Sequence, residues 1–423
     1  MGWPILFRLV GLAGLTKTVD MTPDVFIVDG RRSPIGNFGG SLSAVRADDL
    51  AAGVIAALVS RFPQIPMDAY DDVLLGCANQ AGDDNRNVAR MSGLLAGLPV
   101  TVPGETVNRL CASGMSAIVQ ARRAIMAGEG SLFIAGGVEN MTRGPWVISK
   151  TSQAFGTDAK MYDSSFGWRF INPKMHALYG TDAMGETAEN LADQYGITRV
   201  DQDQFAMWSQ QKAAVAAASG RLAVEIAPVP VPQRKGEPLY FSADEFVKPA
   251  TTLEGLGKLR PAFRKEGGTV TAGNASGLND GAAAVLVASA DAVKQYELKP
   301  LARIISSGVT GVEPKIMGIG PVTASQLALK RAGLTLSEMD LIEVNEAFAA
   351  QVLACTRALG LTDDDARINP NGGAIALGHP LGMTGARILY SAALELHQRN
   401  LRYALVTMCV GVGQGYAVVL ERA

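Results

Sequence analysis

Two stretches of this chain carry the same parts in the same order, and that repetition limits its possible folds more than any other feature. The first runs from a short strand, "DDVLLGCANQ", through a turn and helix, "VNRLCASGMSAIVQARRAIMAGEG", to a buried strand, "SLFIAGGVEN". The second runs from "MDLIEVNEAFAA" through "GHPLGMTGARILYSAALEL" to "YALVTMCVGVGQG". Asp72 aligns with Asp340 and Cys111 with His379, both at a shift of 268 residues. Helical period places Met115, Ile118, Val119, Ile125 and Met126 on one face, and Ile388, Leu389, Ala392 and Leu396 on another. Gly128 and Gly130 give the first helix a stop. Two copies are too few for a solenoid, so the pattern means two fused α/β halves. If the halves pair, a cysteine and a histidine meet at the entries of equivalent helices.

The stretch 142–273 has another character. It holds Trp146, Trp168 and Trp208, the Pro-rich "APVPVPQRKGEP" and the amphipathic "DQDQFAMWSQQKAAVAAA". It reads as an inserted loop domain. Buried-strand text resumes with "GAAAVLVAS" at 281–289. The expected organisation is an N-terminal half over 21–141 completed by 274–299, and a C-terminal half over 300–423. Residues 1–20, "MGWPILFRLVGLAGLTKTVD", differ in character from the rest of the chain. They lack the basic start and cleavage site of a signal peptide, so an upstream-extended start is favoured over a short leader, with Met21 a second plausible start.

With 423 residues, 48% of them hydrophobic, the chain can bury more than one core. A net charge of −2 gives no field to attract nucleic acid or anionic membrane. No apolar run reaches the roughly 18 residues of a membrane span. Cys77, Cys111, Cys355 and Cys409 fit no CxxC zinc spacing, so no metal is expected, and a reducing, cytoplasmic setting is the default.

Three histidines are present, His176, His379 and His397. Only His379 sits among small residues, in "GGAIALGHPLGMTGA". A lone histidine there reads equally as part of a turn, and Cys111 alone reads first as a buried structural thiol. Together they suggest nucleophile and base. A helix N-terminus favours thiolate, so a lowered Cys111 pKa is expected. Cys409 closes a strand followed by alternating glycines, with no helix after it, which argues against a dinucleotide site. A thiol there suits proton transfer α to a thioester carbonyl. Asn345, in "EVNEAFAAQ", reads equally as a helix cap and as an amide facing a substrate oxygen. Cys77 and Cys355 read as structural.

"NRLCASGM", "VNEAF", "GGAIALGHPLGMTGAR" and "MCVGVGQG", in that order, resemble the thiolase family, as do "IVDGRRSPIG" and "TVTAGNASGLNDGAAA". The resemblance covers Met21 to the end. It implies a five-layer αβαβα fold of two halves with a loop domain, usually a homodimer or homotetramer, acting on CoA and acyl-CoA with no resident cofactor. Cys111 matches the acylated nucleophile and His379 its activator. Asn345 matches the residue that holds a water in the same oxyanion hole, and Cys409 the acid/base at the acetyl-CoA methyl. Cys111 and Gly411 match the N–H donors of a second oxyanion hole. Ser276, Met184, Lys248 and the Phe348 of "VNEAF" match CoA-binding positions. The text from Met161 to Asn190 resembles 3-oxoadipyl-CoA thiolases, with an acetoacetyl-CoA or broad-range thiolase the alternative. Ala183 and Gly255 depart from the short-chain pattern, and Gly185 from the 3-oxoadipyl one. The remote carboxylate of a 3-oxoadipyl chain needs a partner if enclosed. Arg169, Lys174 and His176 are candidates, or else a solvated face.

A ketoacyl synthase would use a second histidine where this chain has Cys409. A non-catalytic carrier would have no need to keep Cys111, His379 and Cys409 together. A cysteine hydrolase leaves Cys409 and the duplication unexplained.

Overall fold

Runs of small residues at Ala135–Gly137 and Gly281–Ala284 lie in two buried strands of the first half, where they let helices press close to the sheet. The computed structural model describes residues 23–423, so the leader or extended start at 1–20 lies outside the described residues. The chain opens with β1 (Val25–Arg32), β2 (Gly36–Asn37), α1 (Ala47–Val59), β3 (Asp72–Gly76), α2 (Val88–Leu95), β4 (Gly104–Val107), α3 (Ser113–Ala127) and β5 (Leu132–Asn140). An excursion follows: β6 (Trp146–Ile148), β7 (Met161–Asp163), α4 (Pro173–Tyr179), α5 (Met184–Tyr195), α6 (Arg199–Ala218), β8 (Val229–Val231), β9 (Leu239–Phe241) and α7 (Leu253–Gly257). Its strands form two separate hairpins, β6 with β7 and β8 with β9. The chain then re-enters the main sheet as β10 (Asn279–Ser289) and leaves it through α8 (Ala290–Gln295). The remainder is β11 (Ala302–Gly311), a 3-10 turn (Pro314–Ile319), α9 (Gly320–Ala332), β12 (Leu341–Val344), α10 (Ala349–Ala358), α11 (Ala374–Leu377), α12 (Leu381–Gln398), β13 (Tyr403–Val410) and β14 (Gln414–Arg422).

The main sheet runs β12-β13-β14-β11-β1-β10-β5-β3-β4, with β2 paired to β10. β10 inserts between β1 and β5, antiparallel to both, and every residue of it is buried. Strands covered on both faces lose the in–out alternation of a half-exposed sheet. The halves join where β1 meets β11, through Phe26–Arg303 and Ile27–Ala302.

α3 and α12 lie side by side, α3 on β5 and β3, α12 on β5, β10 and β13. α1 and α2 cover the far face of the first half, and α9, flanked by α10, that of the second. The result is the five-layer αβαβα arrangement. It explains one difference from the periodicity. Helical period predicts a single apolar, buried face for α12, yet the helix is buried all round from Gly382 to Leu396, because it lies between two sheet faces.

Glycine sets the distance between the central helices. A β-carbon on Gly114 would stand 2.5 Å from the Gly382 carbonyl oxygen, and one on Gly385 would stand 2.5 Å from the Met115 nitrogen. The N-terminal turns of α3 and α12 therefore meet backbone to backbone, which brings Cys111 and His379 to one end of the paired helices. Among the described residues, no helix is long and apolar enough to cross a membrane.

Candidate active site

The turn before α3 holds Cys111 at the helix entry. Leu110 takes a left-handed φ of 46°. The turn is closed by Ser113, whose Oγ donates to the Leu110 carbonyl at 2.6 Å and accepts from the Arg109 N–H at 2.9 Å. The Arg109 guanidinium donates to the Gln414 side-chain oxygen at 3.0 Å, tying this turn to the start of β14. Facing it is the β13–β14 turn, where Val412 has φ 63°. A β-branched residue in that region costs roughly 1–3 kcal/mol, a strain that clusters at functional sites.

Gly411 opens that turn, and its N–H, with that of Cys111 itself, is near enough to the Cys111 sulfur to favour the thiolate. These two donors favour thiolate, but burial outweighs them and pushes the thiol up to about 11. The expectation of a lowered pKa is thus corrected: desolvation overcomes the helix terminus, and the free thiol keeps its proton at neutral pH. A base is required.

His379 is the candidate. It is buried, and its backbone N–H donates to Asn279 Oδ1 at 3.0 Å. Its Nδ1 lies 2.8 Å from Thr384 Oγ1. The Thr384 hydroxyl gives its proton to the Pro380 carbonyl at 2.8 Å, so Oγ1 can only accept from the ring. Nδ1 therefore carries the ring proton and Nε2 is an unprotonated base. Burial, and secondarily the Arg387 cation, pull its pKa down to about 3, so the ring is neutral.

Asn345 Nδ2 sits 3.4 Å from His379 Nε2. Of the two readings of Asn345, the helix cap is not realised: Phe348 occupies the N-cap position of α10. Asn345 Oδ1 is buried with no hydrogen-bond partner among the described residues. Cys409, next to last in the buried run of β13, is close enough to Cys111 for the two thiols to influence one another. Burial raises its thiol well above the ordinary range, and Cys111 and Cys355 add to the rise. All four cysteines are free.

Cys355 donates to the Gly318 carbonyl at 3.1 Å, and burial pushes it up to about 12. Cys77 donates to Asp84 at 3.4 Å. Cys77, Asp84 and Glu139 bring donor atoms within 4.8 Å of one another. Glu139, however, is already taken up by the N–H groups of Ala78, Asn79 and Gly382. That buried carboxylate, pushed up to about 7 by desolvation, fastens the start of α12 to the ends of β3 and β5.

The excursion between β5 and β10 forms the outer wall. A β-carbon on Gly411 would touch the Met184 sulfur at 3.7 Å. Phe348 packs edge-on to Phe263 at 6.2 Å between centroids, and Phe263 lies against Gly185. Ser276 donates its N–H to the Ala347 carbonyl at 3.0 Å. Lys248 is exposed, with Nζ 4.8 Å from the centre of the Phe246 ring, which lies against Gly277. Arg169 donates to the Ser164 carbonyl and to Asn79. Lys174 is exposed on α4, and His176 Nδ1 is 2.8 Å from Thr181 Oγ1. Sequence reasoning passes over Thr384, Asn279 and Glu139. Of these, only Thr384 is within its reach, as a hydroxyl in the first turn of the helix, five residues after His379.

Comparison with known proteins gives the family. The chain matches the model of the thiolase N-terminal domain over residues 25–291 and that of the thiolase C-terminal domain over 298–422. It is 60% identical to a beta-ketoadipyl-CoA thiolase of Acinetobacter baylyi, over 94% of this chain and 99% of that one. It is 57% identical to the 3-oxoadipyl-CoA/3-oxo-5,6-dehydrosuberyl-CoA thiolase of Escherichia coli K12, again over 94% and 99%. Human mitochondrial 3-ketoacyl-CoA thiolase superposes with a TM-score of 0.88 at 42% identity, over 95% of this chain and 99% of that one. Its complex with CoA superposes with a TM-score of 0.87 at 42% identity, over 95% and 98%. With both domain models matched across nearly the whole described chain and the two cysteines, histidine and asparagine gathered at one site, the chain belongs to the thiolase family and is an acyltransferase.

Proposed function

We propose that the protein cleaves 3-oxoadipyl-CoA with CoA to give succinyl-CoA and acetyl-CoA, by ping-pong transfer through Cys111. The observation that carries the chemistry is the buried His379 ring, held between Asn345 and Thr384, at the same end of the paired helices as Cys111, with the Cys409 thiol alongside. The names of the relatives at 57–60% identity support the substrate.

His379 Nε2 takes the Cys111 proton as sulfur attacks the C3 ketone. Oxyanions form in two places, and two donor sets are available. One is the N–H pair of Cys111 and Gly411, the other Asn345 Nδ2 with protonated His379. The C2–C3 bond then breaks. Its electron pair becomes the enolate of acetyl-CoA, and Cys409 delivers the proton to C2. The succinyl group stays on Cys111 until a CoA thiol, deprotonated at the same site, carries it away. The high Cys409 pKa suits an acid that holds its proton until a stronger base forms beside it.

Met184, Ser276, Phe348 and Lys248 line the approach for pantetheine and nucleotide. We also propose a homo-oligomer, dimer or tetramer. The edge strand β4 and the exposed Trp146 and Ile148 of the β6–β7 hairpin support it, since such edges and apolar tips are commonly covered. The test is kcat/KM for 3-oxoadipyl-CoA against acetoacetyl-CoA on purified protein. A strong preference for the dicarboxylic substrate is expected, and equal or better use of acetoacetyl-CoA would overturn the substrate.

A further inference from the structure

The Asn345 amide has no side-chain anchor of its own besides His379. Its Oδ1 is buried with no hydrogen-bond partner among the described residues, and its Nδ2 has only the 3.4 Å contact to His379 Nε2. His379, in contrast, is held twice more, by Asn279 at its backbone N–H and by Thr384 at Nδ1. The place of the Asn345 amide is therefore set by the backbone that carries it. On one side that backbone is tied to the sheet, where the Asn345 N–H donates to the Thr407 carbonyl of β13 at 3.0 Å. On the other side the next residue is Glu346.

Glu346 is buried, and its carboxylate takes donors from three separate places. Oε2 accepts from the Ser209 hydroxyl of α6 at 2.6 Å and from the Ile375 N–H of α11 at 3.2 Å. Oε1 accepts from Asn369 Nδ2 at 2.7 Å. The Asn369 amide is fixed in turn by Val344 of β12, accepting its N–H and donating to its carbonyl, both at 2.8 Å. Ser209 Oγ accepts from the Gly373 N–H at 3.1 Å, so its proton is free for Glu346. Gly373 makes the close approach possible: a β-carbon there would stand 2.2 Å from Glu346 Cδ. Gln210, next along α6, donates to the Ile375 carbonyl at 3.2 Å, so α11 is gripped on both backbone groups of one residue. Every partner of Glu346 is a donor, and an ionised carboxylate, which only accepts, satisfies all three. Among the described residues it makes no hydrogen bond to Cys111, His379 or Cys409.

We infer that Glu346 is a positioning residue: it clamps the backbone beside Asn345 to Ser209, Asn369 and Ile375, and so holds the Asn345 amide against His379 as an oxyanion donor. This rests on the proposed role of Asn345. The clamp acts through Asn345 rather than through His379, because the ring has Asn279 and Thr384 to hold it and the amide has neither. It also gives the inserted segment between β5 and β10 a part in the chemistry. Ser209 belongs to that segment, while Asn345 and His379 belong to the second half.

The test is a double-mutant cycle of Glu346→Gln with Asn345→Ala. Glu346→Gln keeps the shape but sets an NH₂ group against at least one of the three donors. Thiolysis is measured on whichever of 3-oxoadipyl-CoA and acetoacetyl-CoA the wild type cleaves faster. Rates are expressed per Cys111 that acetyl-CoA can acylate, so loss of folded enzyme cancels. Loss of one oxyanion donor costs roughly 10²–10³ in kcat, and a displaced donor should forfeit part of that, about 10- to 100-fold, with KM little changed. In the Asn345→Ala background the same substitution should alter kcat by less than about threefold, since two residues that act as one unit are not additive. If Glu346→Gln does not fold, Ser209→Ala, which removes one donor, enters the same cycle, with a smaller fall expected that is again absent without Asn345. Equal falls in the two backgrounds, or no fall with Asn345 present, would overturn the clamp and leave the role of Asn345 standing. Wild-type kcat in Asn345→Ala would overturn that role and the clamp with it.

Discussion

Thr384 accepts the Nδ1 proton of His379 at 2.8 Å, and its own proton is committed to the Pro380 carbonyl. One threonine thus fixes both the orientation and the tautomer of the His379 ring. Thr384→Val removes the acceptor while keeping the shape. We expect kcat to fall at least tenfold, within the roughly 10²–10⁴ that a general base contributes, with KM little changed. Thr384→Ser should restore most of the rate. Equal rates in steady-state assays of Thr384→Val and wild type would rule out the positioning role.

The two cysteines should separate by half-reaction. Cys409→Ala should still exchange label between CoA and acetyl-CoA through Cys111, because that exchange breaks no carbon–carbon bond. Thiolysis and condensation should drop about 10²–10⁴-fold. Condensation that survives in Cys409→Ala would remove the acid/base assignment.

His379 ties stability to pH. Its folded pKa, about 3, lies below the ordinary value of an unfolded histidine, about 6.5. Between those values the unfolded chain binds a proton that the native ring refuses. The stabilisation is therefore complete above about pH 6.5 and is lost as pH falls, by at most about 1.4 kcal/mol per pH unit for this group. Urea midpoints measured from pH 7 to pH 5 should decline more steeply for wild type than for His379→Gln. Parallel declines would show that the ring is not held neutral.

Leu389 of α12 is wholly buried in the core cluster between the two halves' strands and α3. Leu389→Ala should cost about 2–5 kcal/mol, read from denaturant unfolding. A loss under about 1 kcal/mol would mean that the layer repacks around the gap.

The duplication at a shift of 268 residues is visible in the sequence because both copies keep strand, helix entry and strand in register. It correctly pairs the ends of α3 and α12. Side-chain chemistry that depends on a third element is not legible. The thiol of Cys111 rises because of burial under the β13–β14 turn, and no local pattern around Cys111 announces that turn. The left-handed φ at Leu110 and Val412 is likewise imposed by tertiary contacts on residues that do not favour it.

The most direct measurement is intact and peptide mass spectrometry of the enzyme incubated with 3-oxoadipyl-CoA in the absence of free CoA. The expected result is a succinyl group on Cys111, and no adduct in Cys111→Ser. A succinyl group on Cys409 or elsewhere, or an acetyl group alone on Cys111, would contradict the assignment of nucleophile and cleaved bond.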